Sequence, residues 1–262
     1  MRAPAWRLLR DGAAAGAENM ARDVALLESV SAGAAPPTLR LYGWSPPCLT
    51  LGRHEEPLPE ALRFCRSSGL HVARRPTGGR ALLHHREVTY SVVAPLGRPP
   101  LPAALQDAYR TICGALVAAC AALGVNAELT PGEVNLSLPG PRSGIPCFQA
   151  PAGGEVVVAG RKLAGSAMRV LRGTVLQHGS LLVDWDDDLQ AGALGLDRVA
   201  PLRSRITTLA LEMGRVPGEQ EVRSALVEAF RSTLRIELEP GRPTPGEIRR
   251  TRELRPSHVL VD

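Results

Sequence analysis

The chain has 262 residues, 44% of them hydrophobic and 22% charged, which is enough apolar material for one large domain with a real core. Its formal net charge of +5 comes from interspersed arginines, aspartates and glutamates without a basic block. This argues against a nucleic-acid arm and leaves a mildly basic surface, or a shallow basic face for an acidic partner. No apolar run approaches the ~20 residues of a membrane span, no secretory apolar segment opens the chain, and five cysteines lack C-x-x-C spacing. A cytoplasmic protein with no membrane association is expected.

WRLL (6–9) reads as a first strand. Within 19–30, Met20, Val24 and Leu27 recur at helical spacing with Ala21 and Ala25 beside them, which predicts an amphipathic helix. TLRLYGW (38–44) alternates and predicts a strand. A short helix is expected over 58–66, opening near a proline. HVARRP (71–76) predicts a strand running into TGGR, and EVTYSVVAP (87–95) a strand stopped by Pro95. The longest helical pattern, 103–123, is closed by Gly124. Short strands are expected in 127–138, then a Pro/Gly-rich loop over 139–153 of a length that often serves function. Residues 155–184 read as strand, turn, strand, turn, strand, with the turns at Ala159-Gly160 and Arg172-Gly173. A short helix over 186–196 and an amphipathic helix over 218–234 follow, and 240–262 reads as a polar tail with weak helical content. Strands and helices mix without βαβ alternation. The expected fold class is α+β, a mixed, mostly antiparallel central sheet flanked by helices. It forms one domain over 1–262, with 200–262 a helical C-terminal extension.

Three stretches carry candidate chemistry. In RRPTGGRALLHH (74–85), Gly78 and Gly79 let the backbone approach a ligand and offer it N–H groups. The stretch lacks the spacing of a nucleotide loop, and its plainer reading is a hairpin turn with surface arginines. GRKLAGSA (160–167) holds Lys162, the only lysine in the chain. As a strand it puts Lys162, Ala164 and Ser166 on one face and Leu163 and Gly165 on the other, and its small residues let a ligand lie along it. A compact ammonium fits against a carbonyl oxygen where a broad guanidinium does not; the plainer reading is a solvated surface lysine. In IPCFQAP (145–151), Cys147 stands fifteen positions before Lys162 (162 − 147). It reads either as a small loop side chain or as a nucleophile whose thiolate a nearby cation would favour. Cys113 and Cys120 read as core, Cys65 as the close of a helix, and Cys48 as a residue after Pro46-Pro47 and before a strand. His178 reads as structural by default, and the aspartates at 184 and 186–188 as helix capping rather than metal ligands.

Taken in order, NMARDVALLESV, LRLYGWSPPCLTLGRHE, RRPTGGRALLHHREVTYSVV, PCFQAP, GRKLAGSAMR and LQHGSLLVD resemble the biotin/lipoate protein ligase A/B family, over residues 6 to 185. The resemblance implies that family's catalytic-domain fold and a pocket for an acyl group or acyl-adenylate. The implied binding residues are Arg74, Arg75, Thr77, Gly78, Gly79 and His84, with Gly165, Ser166, Ala167, His178 and Gly179. Lys162 falls on the lysine that contacts the acyl carbonyl. PCFQAP is similar to the octanoyltransferase branch, in which an acylated cysteine precedes the lysine, and Cys147 falls on that position. Arg80, where ligases have a third glycine, points the same way. Met168 departs from the usual glutamine, and His85 from a frequent acidic residue. The implied activity moves octanoyl from acyl carrier protein, through a Cys147 thioester, to a lysine of lipoyl domains. Glycine cleavage H protein and 2-oxoacid dehydrogenase E2 are such domains. No cofactor or metal is implied. Arg74, Arg75 and Arg80 would meet the acidic surfaces of these carriers. The alternatives are an ATP- and Mg-dependent lipoate–protein ligase working through lipoyl-AMP, transfer between two lipoyl domains, a catalytically silent carrier-binding subunit, and a biotin ligase.

Overall fold

In chain order, β1 (Ala5–Ala14), α1 (Gly16–Ser31), β2 (Thr38–Trp44), β3 (Cys48–Leu51) and α2 (Pro59–Ser67) come first. β4 (His71–Arg74), β5 (Leu82–His84), β6 (Glu87–Pro95), α3 (Leu105–Ala122) and β7 (Glu128–Leu129) follow. Then come β8 (Val156–Val158), β9 (Arg161–Leu171), β10 (Thr174–Leu182), α4 (Asp187–Leu194), α5 (Ala200–Arg203) and α6 (Leu209–Met213). The chain ends in α7 (Glu219–Leu234), β11 (Glu237–Pro240), α8 (Pro245–Leu254), a 3-10 turn (Arg255–His258) and β12 (Val259–Val261). This computed structural model describes residues 3–134, 153–196 and 200–261.

An eight-stranded sheet runs β11-β1-β2-β6-β10-β9-β8-β7. β11 and β2 pair parallel to β1, and the other neighbours pair antiparallel. The mixed, mostly antiparallel sheet expected from the sequence is therefore present. A second sheet, β12-β4-β3-β5, stands beside it. The turns at Ala159-Gly160 (φ 48° and 73°) and Arg172-Gly173 (φ 48° and 76°) put both central residues in the left-handed region. That is the two-residue hairpin geometry whose twist matches its strands, and it fixes the register of β8, β9 and β10.

α3 and α7 cover one face of the large sheet. α7 presents Val222, Leu226, Ala229 and Phe230 at helical spacing, and α3 presents Ala108, Ile112, Ala115, Leu116 and Ala119. These meet Leu39, Leu41, Val88, Tyr90, Val92 and Val175 in the main core. α1 covers the other face and also packs on β3 and β4, so it lies between the two sheets. Asp186 caps α4 by accepting from the Leu189 N–H, the role its sequence suggested.

The last part of the chain departs from the expectation of a weakly structured tail. β11 extends the large sheet beside β1, β12 extends the small sheet beside β4, and α8 is a ten-residue helix with a Thr244/Glu247 capping box. Arg7 of β1 makes a two-pronged ion pair with Glu247 of α8, at 2.8 and 2.7 Å. The two termini thus meet through buried charge.

Candidate active site

A cavity of about 460 Å³, its open mouth included, lies between the two sheets beside the first half of α1. Gly165, Ser166 and Ala167 of β9 and His178, Gly179 and Ser180 of β10 form one wall. Met20, Tyr42 and Trp44 form a second, and Arg75, Gly79, Leu82 and His84 close it from the small sheet. Its walls are mostly apolar with a few polar groups, the character of a small-ligand site. Small residues across β9 and β10 make the room. A Cβ on Gly179 would stand 2.5 Å from the Gly165 carbonyl oxygen and 2.9 Å from the Tyr90 ring.

The RRPTGGR stretch is no hairpin with surface arginines. Arg75 is buried, and its guanidinium donates to Thr50 O (3.1 Å), Gly78 O (3.0 Å) and Arg80 O (2.7 Å). It staples the turn shut and is not available to an acidic partner, which corrects that expectation. Gly79, at φ 95°, lines the cavity, and Gly52 passes so close that a Cβ there would lie 2.0 Å from Gly79 O. Arg74 turns outward, its guanidinium on the carbonyls of Gly52 (3.0 Å) and Glu55 (2.7 Å). Thr77 and Gly78 are not among the residues that line the cavity.

Thr77 is buried and its hydroxyl lies 2.7 Å from His178 Nε2. The other ring nitrogen, Nδ1, lies 2.9 Å from the Asp23 carboxylate. A carboxylate can only accept, so Nδ1 carries a proton and donates to Asp23, while the Thr77 hydroxyl meets Nε2. Asp23 also accepts from Arg40 (2.8 Å), Ser91 (2.9 Å) and Tyr42 (3.0 Å). Burial raises its pKa, but the His178 hydrogen bond and the Arg40 charge outweigh that and hold the carboxyl below the usual carboxylate range. His178, the default structural histidine of the sequence reading, lines the cavity and ties the TGG turn to α1.

His84 sits in a second network. Its Nδ1 donates to Glu87 (2.7 Å), Thr50 meets its Nε2 (2.8 Å), and Trp44 stacks on it at 3.9 Å. Trp44 is pinned in turn through Thr89 to Glu87, at 2.7 and 2.6 Å. Burial pushes His84 below the ordinary imidazole value and Glu87 only partly offsets it, so the ring is neutral. Both networks fix ring planes against the cavity.

Lys162 is not a solvated lysine. It is fully buried, and its ammonium lies 2.5 Å from Glu155, whose side chain is 10% exposed. Its backbone N–H donates to Arg205 O (2.8 Å) and its carbonyl accepts from Thr207 (2.9 Å). Lys162 lies three residues before the cavity-lining Gly165, on the same strand. Cys147 lies outside the described residues. Of the other cysteines, burial pushes Cys113 and Cys120 up to about 12 and Cys65 up to about 11, and Cys48 is fully buried. None of the four is a ready thiolate.

Eight sequence-derived candidates meet at the cavity: Arg75, Gly79, His84, Gly165, Ser166, Ala167, His178 and Gly179. The sequence reading missed Asp23, Trp44, Glu87 and Glu155. Asp23 had a usable signal, because it falls three positions after Met20 and four before Leu27, on the apolar stripe of α1. Glu155 had none beyond a carboxylate opening an all-valine strand. Among the described residues no helix is long and apolar enough to cross a membrane.

Residues 15–231 match the family model described as the lipoyl protein ligase A/B catalytic domain. Octanoyltransferase LipM of Kyrpidia tusciae is 40% identical over 98% of this chain and 97% of that protein. Octanoyltransferase LipM of Symbiobacterium thermophilum is 39% identical over 95% of this chain and 93% of that one. A crystal structure of lipoate-protein ligase A bound with ATP has the same fold, with a TM-score of 0.76 at 26% identity, over 98% of this chain and 95% of the other.

Proposed function

The chain belongs to the lipoyl protein ligase A/B catalytic domain family, and from that premise we propose that it transfers an octanoyl group from acyl carrier protein to a lysine of a lipoyl carrier domain. It is an acyltransferase of protein lipoylation. The observation that carries this reading is the near full-length 40% identity to an octanoyltransferase. The mostly apolar cavity, lined by the strand that carries Lys162, agrees with an acyl substrate.

In this mechanism the Cys147 thiolate attacks the thioester carbonyl of the octanoyl carrier. A C–S bond forms, the carrier's C–S bond breaks, and the carrier leaves as a thiol once it takes up a proton. Lys162 stabilises the Cys147 thiolate and the tetrahedral oxyanion, a service worth roughly 3–4 kcal/mol for one well-placed donor. The deprotonated amine of the target lysine then attacks the Cys147 thioester. The amide C–N bond forms, the nitrogen gives up one proton to solvent, and the thiolate leaves and is ready for another cycle. Thioester exchange is near neutral in energy and amide formation is downhill, so no ATP, metal or other cofactor enters. The buried settings of the four described cysteines leave Cys147 the thiol suited to the task. The reaction belongs in the cytoplasm, where such a thiol stays reduced. Acceptors are lipoyl domains of the H-protein and E2 type.

The competing reading is an ATP-dependent lipoate–protein ligase acting through lipoyl-AMP, favoured by the structural likeness to a ligase crystallised with ATP. One experiment separates them. The protein is mixed with octanoyl carrier protein, or with octanoate plus ATP, and its intact mass is taken. Octanoyl-transferase action predicts an octanoyl adduct from the first donor only, absent in Cys147→Ala. Adenylate formation with release of pyrophosphate, or normal transfer by Cys147→Ala, overturns it.

A further inference from the structure

We propose that Glu155 is a positioning residue that keeps Lys162 protonated, so that the ammonium, and not a neutral amine acting as base, serves the reaction at Cys147. This rests on the reading above, in which Cys147 carries the acyl group and Lys162 assists it.

The pair is built rather than incidental. Lys162 Nζ and Glu155 Oε1 are 2.5 Å apart, and the two side chains are 1% and 10% exposed. Each is clamped through its backbone. Glu155 donates its N–H to Thr130 Oγ1 (2.9 Å) and accepts the Thr130 N–H (2.9 Å). Lys162 is held by Arg205 and Thr207. The register of β8 on β9 slips between Val156 and Val157, where Val156 faces Ala164 and Val157 faces Lys162. Such a bulge re-aims a side chain at a site, and here it falls beside Lys162.

Among the described residues, Glu155 is the carboxylate in contact with Lys162. Arg161, the next residue on the strand, is taken by Glu212 at 2.8 Å. Arg205 gives Lys162 its backbone carbonyl. On the α3 side stand Tyr109 and Cys113, with Tyr90 of β6 beyond them. Burial pushes both phenols well above their usual range and the thiol up to about 12, so all three are neutral, and the Glu155 charge raises Tyr109 and Cys113 further. A buried ammonium without a carboxylate sheds its proton, and a carboxylate in contact holds it. An amine gripped in this way is a poor proton acceptor but a good fixed positive charge. It favours the Cys147 thiolate and faces the oxyanion while keeping its own proton throughout.

The sign of the test follows. Glu155→Gln removes a negative charge, so Lys162 releases its proton at lower pH and the Cys147 thiolate forms at lower pH. Both limbs of the pH profile of thioester formation should move down together, by about one unit or more. Glu155→Asp, with the charge kept on a shorter arm, should shift the profile in the same direction but less. If the Gln variant fails to fold, the Asp variant carries the test. The measurement is octanoyl-thioester formation by the full chain, quenched and read by intact mass from about pH 6 to about pH 10, with circular dichroism as the folding control. Unshifted profiles overturn the proposal. So does a downward shift of the acid limb alone with faster reaction near neutrality, because that is how a neutral lysine base would answer. A wild-type protein that forms no thioester defeats the parent reading, and this inference falls with it.

Discussion

At the scale of single residues, Lys162 asks whether charge or shape matters. An arginine keeps the charge at every accessible pH but is broader, planar and needs more donors satisfied. The site has no slack, since Lys162 is fully buried, closed by Glu155 at 2.5 Å and tied by its backbone to Arg205 and Thr207. Lys162→Arg should therefore misplace the positive charge and slow octanoyl transfer about 10²–10³-fold, the usual loss for one oxyanion donor. Steady-state transfer assays with circular dichroism as control check this. Activity within a few-fold of wild type would show that charge alone suffices. His178 poses a complementary question, because its two nitrogens are both engaged, with Thr77 and Asp23. His178→Ala removes the bond from the TGG turn to β10 and should loosen Gly79 at the cavity wall. The expected result is a raised KM for the acyl donor with a smaller change in kcat. A fall in kcat with KM unchanged would point instead to direct participation in chemistry.

At the scale of elements, α8 owes its place to one ion pair more than to apolar packing. Its two buried residues are polar, Glu247 and Thr251. Burial raises the Glu247 pKa, but the Arg7 hydrogen bonds and charge and the Thr244 N–H hold it below the usual range. Glu247→Gln leaves Arg7 buried without its counter-charge and should destabilise the fold by about 3 kcal/mol. Thermal melting at neutral pH reads this directly, and an unchanged midpoint would show the pair to be dispensable. The same residues explain what the sequence concealed. α8 has no apolar stripe, so a search for hydrophobic periodicity finds only a polar tail there. β11 is mostly exposed, and its partner β1 begins at Ala5, opposite Glu237. Nothing local marks such a strand. Where local rules act, the reading is close. The Ala159-Gly160 and Arg172-Gly173 turns, α1, α3, α7 and β6 are legible because turn chemistry and apolar spacing decide them. The site divides in the same way. The small residues of β9 and β10 and the double glycine announce room for a ligand. The staple made by Arg75 and the burial of Lys162 depend on contacts across the fold, which spacing along the chain does not encode.

At the scale of the whole molecule, buried titratable groups join the two sheets through α1, and they set how stability depends on pH. Burial pushes His84 and His258 below the ordinary imidazole value of 6.5. His258 lies between the sheets' shared helix and β4, its Nδ1 donating to Arg74 O at 2.6 Å. Asp23, Asp11 and Glu247 are held below their ordinary carboxylate values by arginine and, at Asp23, by histidine, against the opposing effect of burial. In every case the folded state binds protons less readily than the unfolded chain, so stability rises with pH through each window. Acidification should act in two stages. The first begins as pH falls below 6.5, where the unfolded histidines take up protons and the folded ones do not. The second begins below the ordinary carboxylate values of 3.8 to 4.5, where Asp11, Asp23 and Glu247 become protonated only at the expense of the ion pairs that join β1, β2, α1 and α8. A series of melting curves from neutral to acid pH should show both declines. His258→Gln should shrink the first and leave the second, because glutamine can still donate to Arg74 O but does not titrate. A melting temperature that stays flat between about pH 7 and about pH 5 would mean that the folded protein takes up these protons as easily as the unfolded chain, and that the histidines between the sheets are open to solvent.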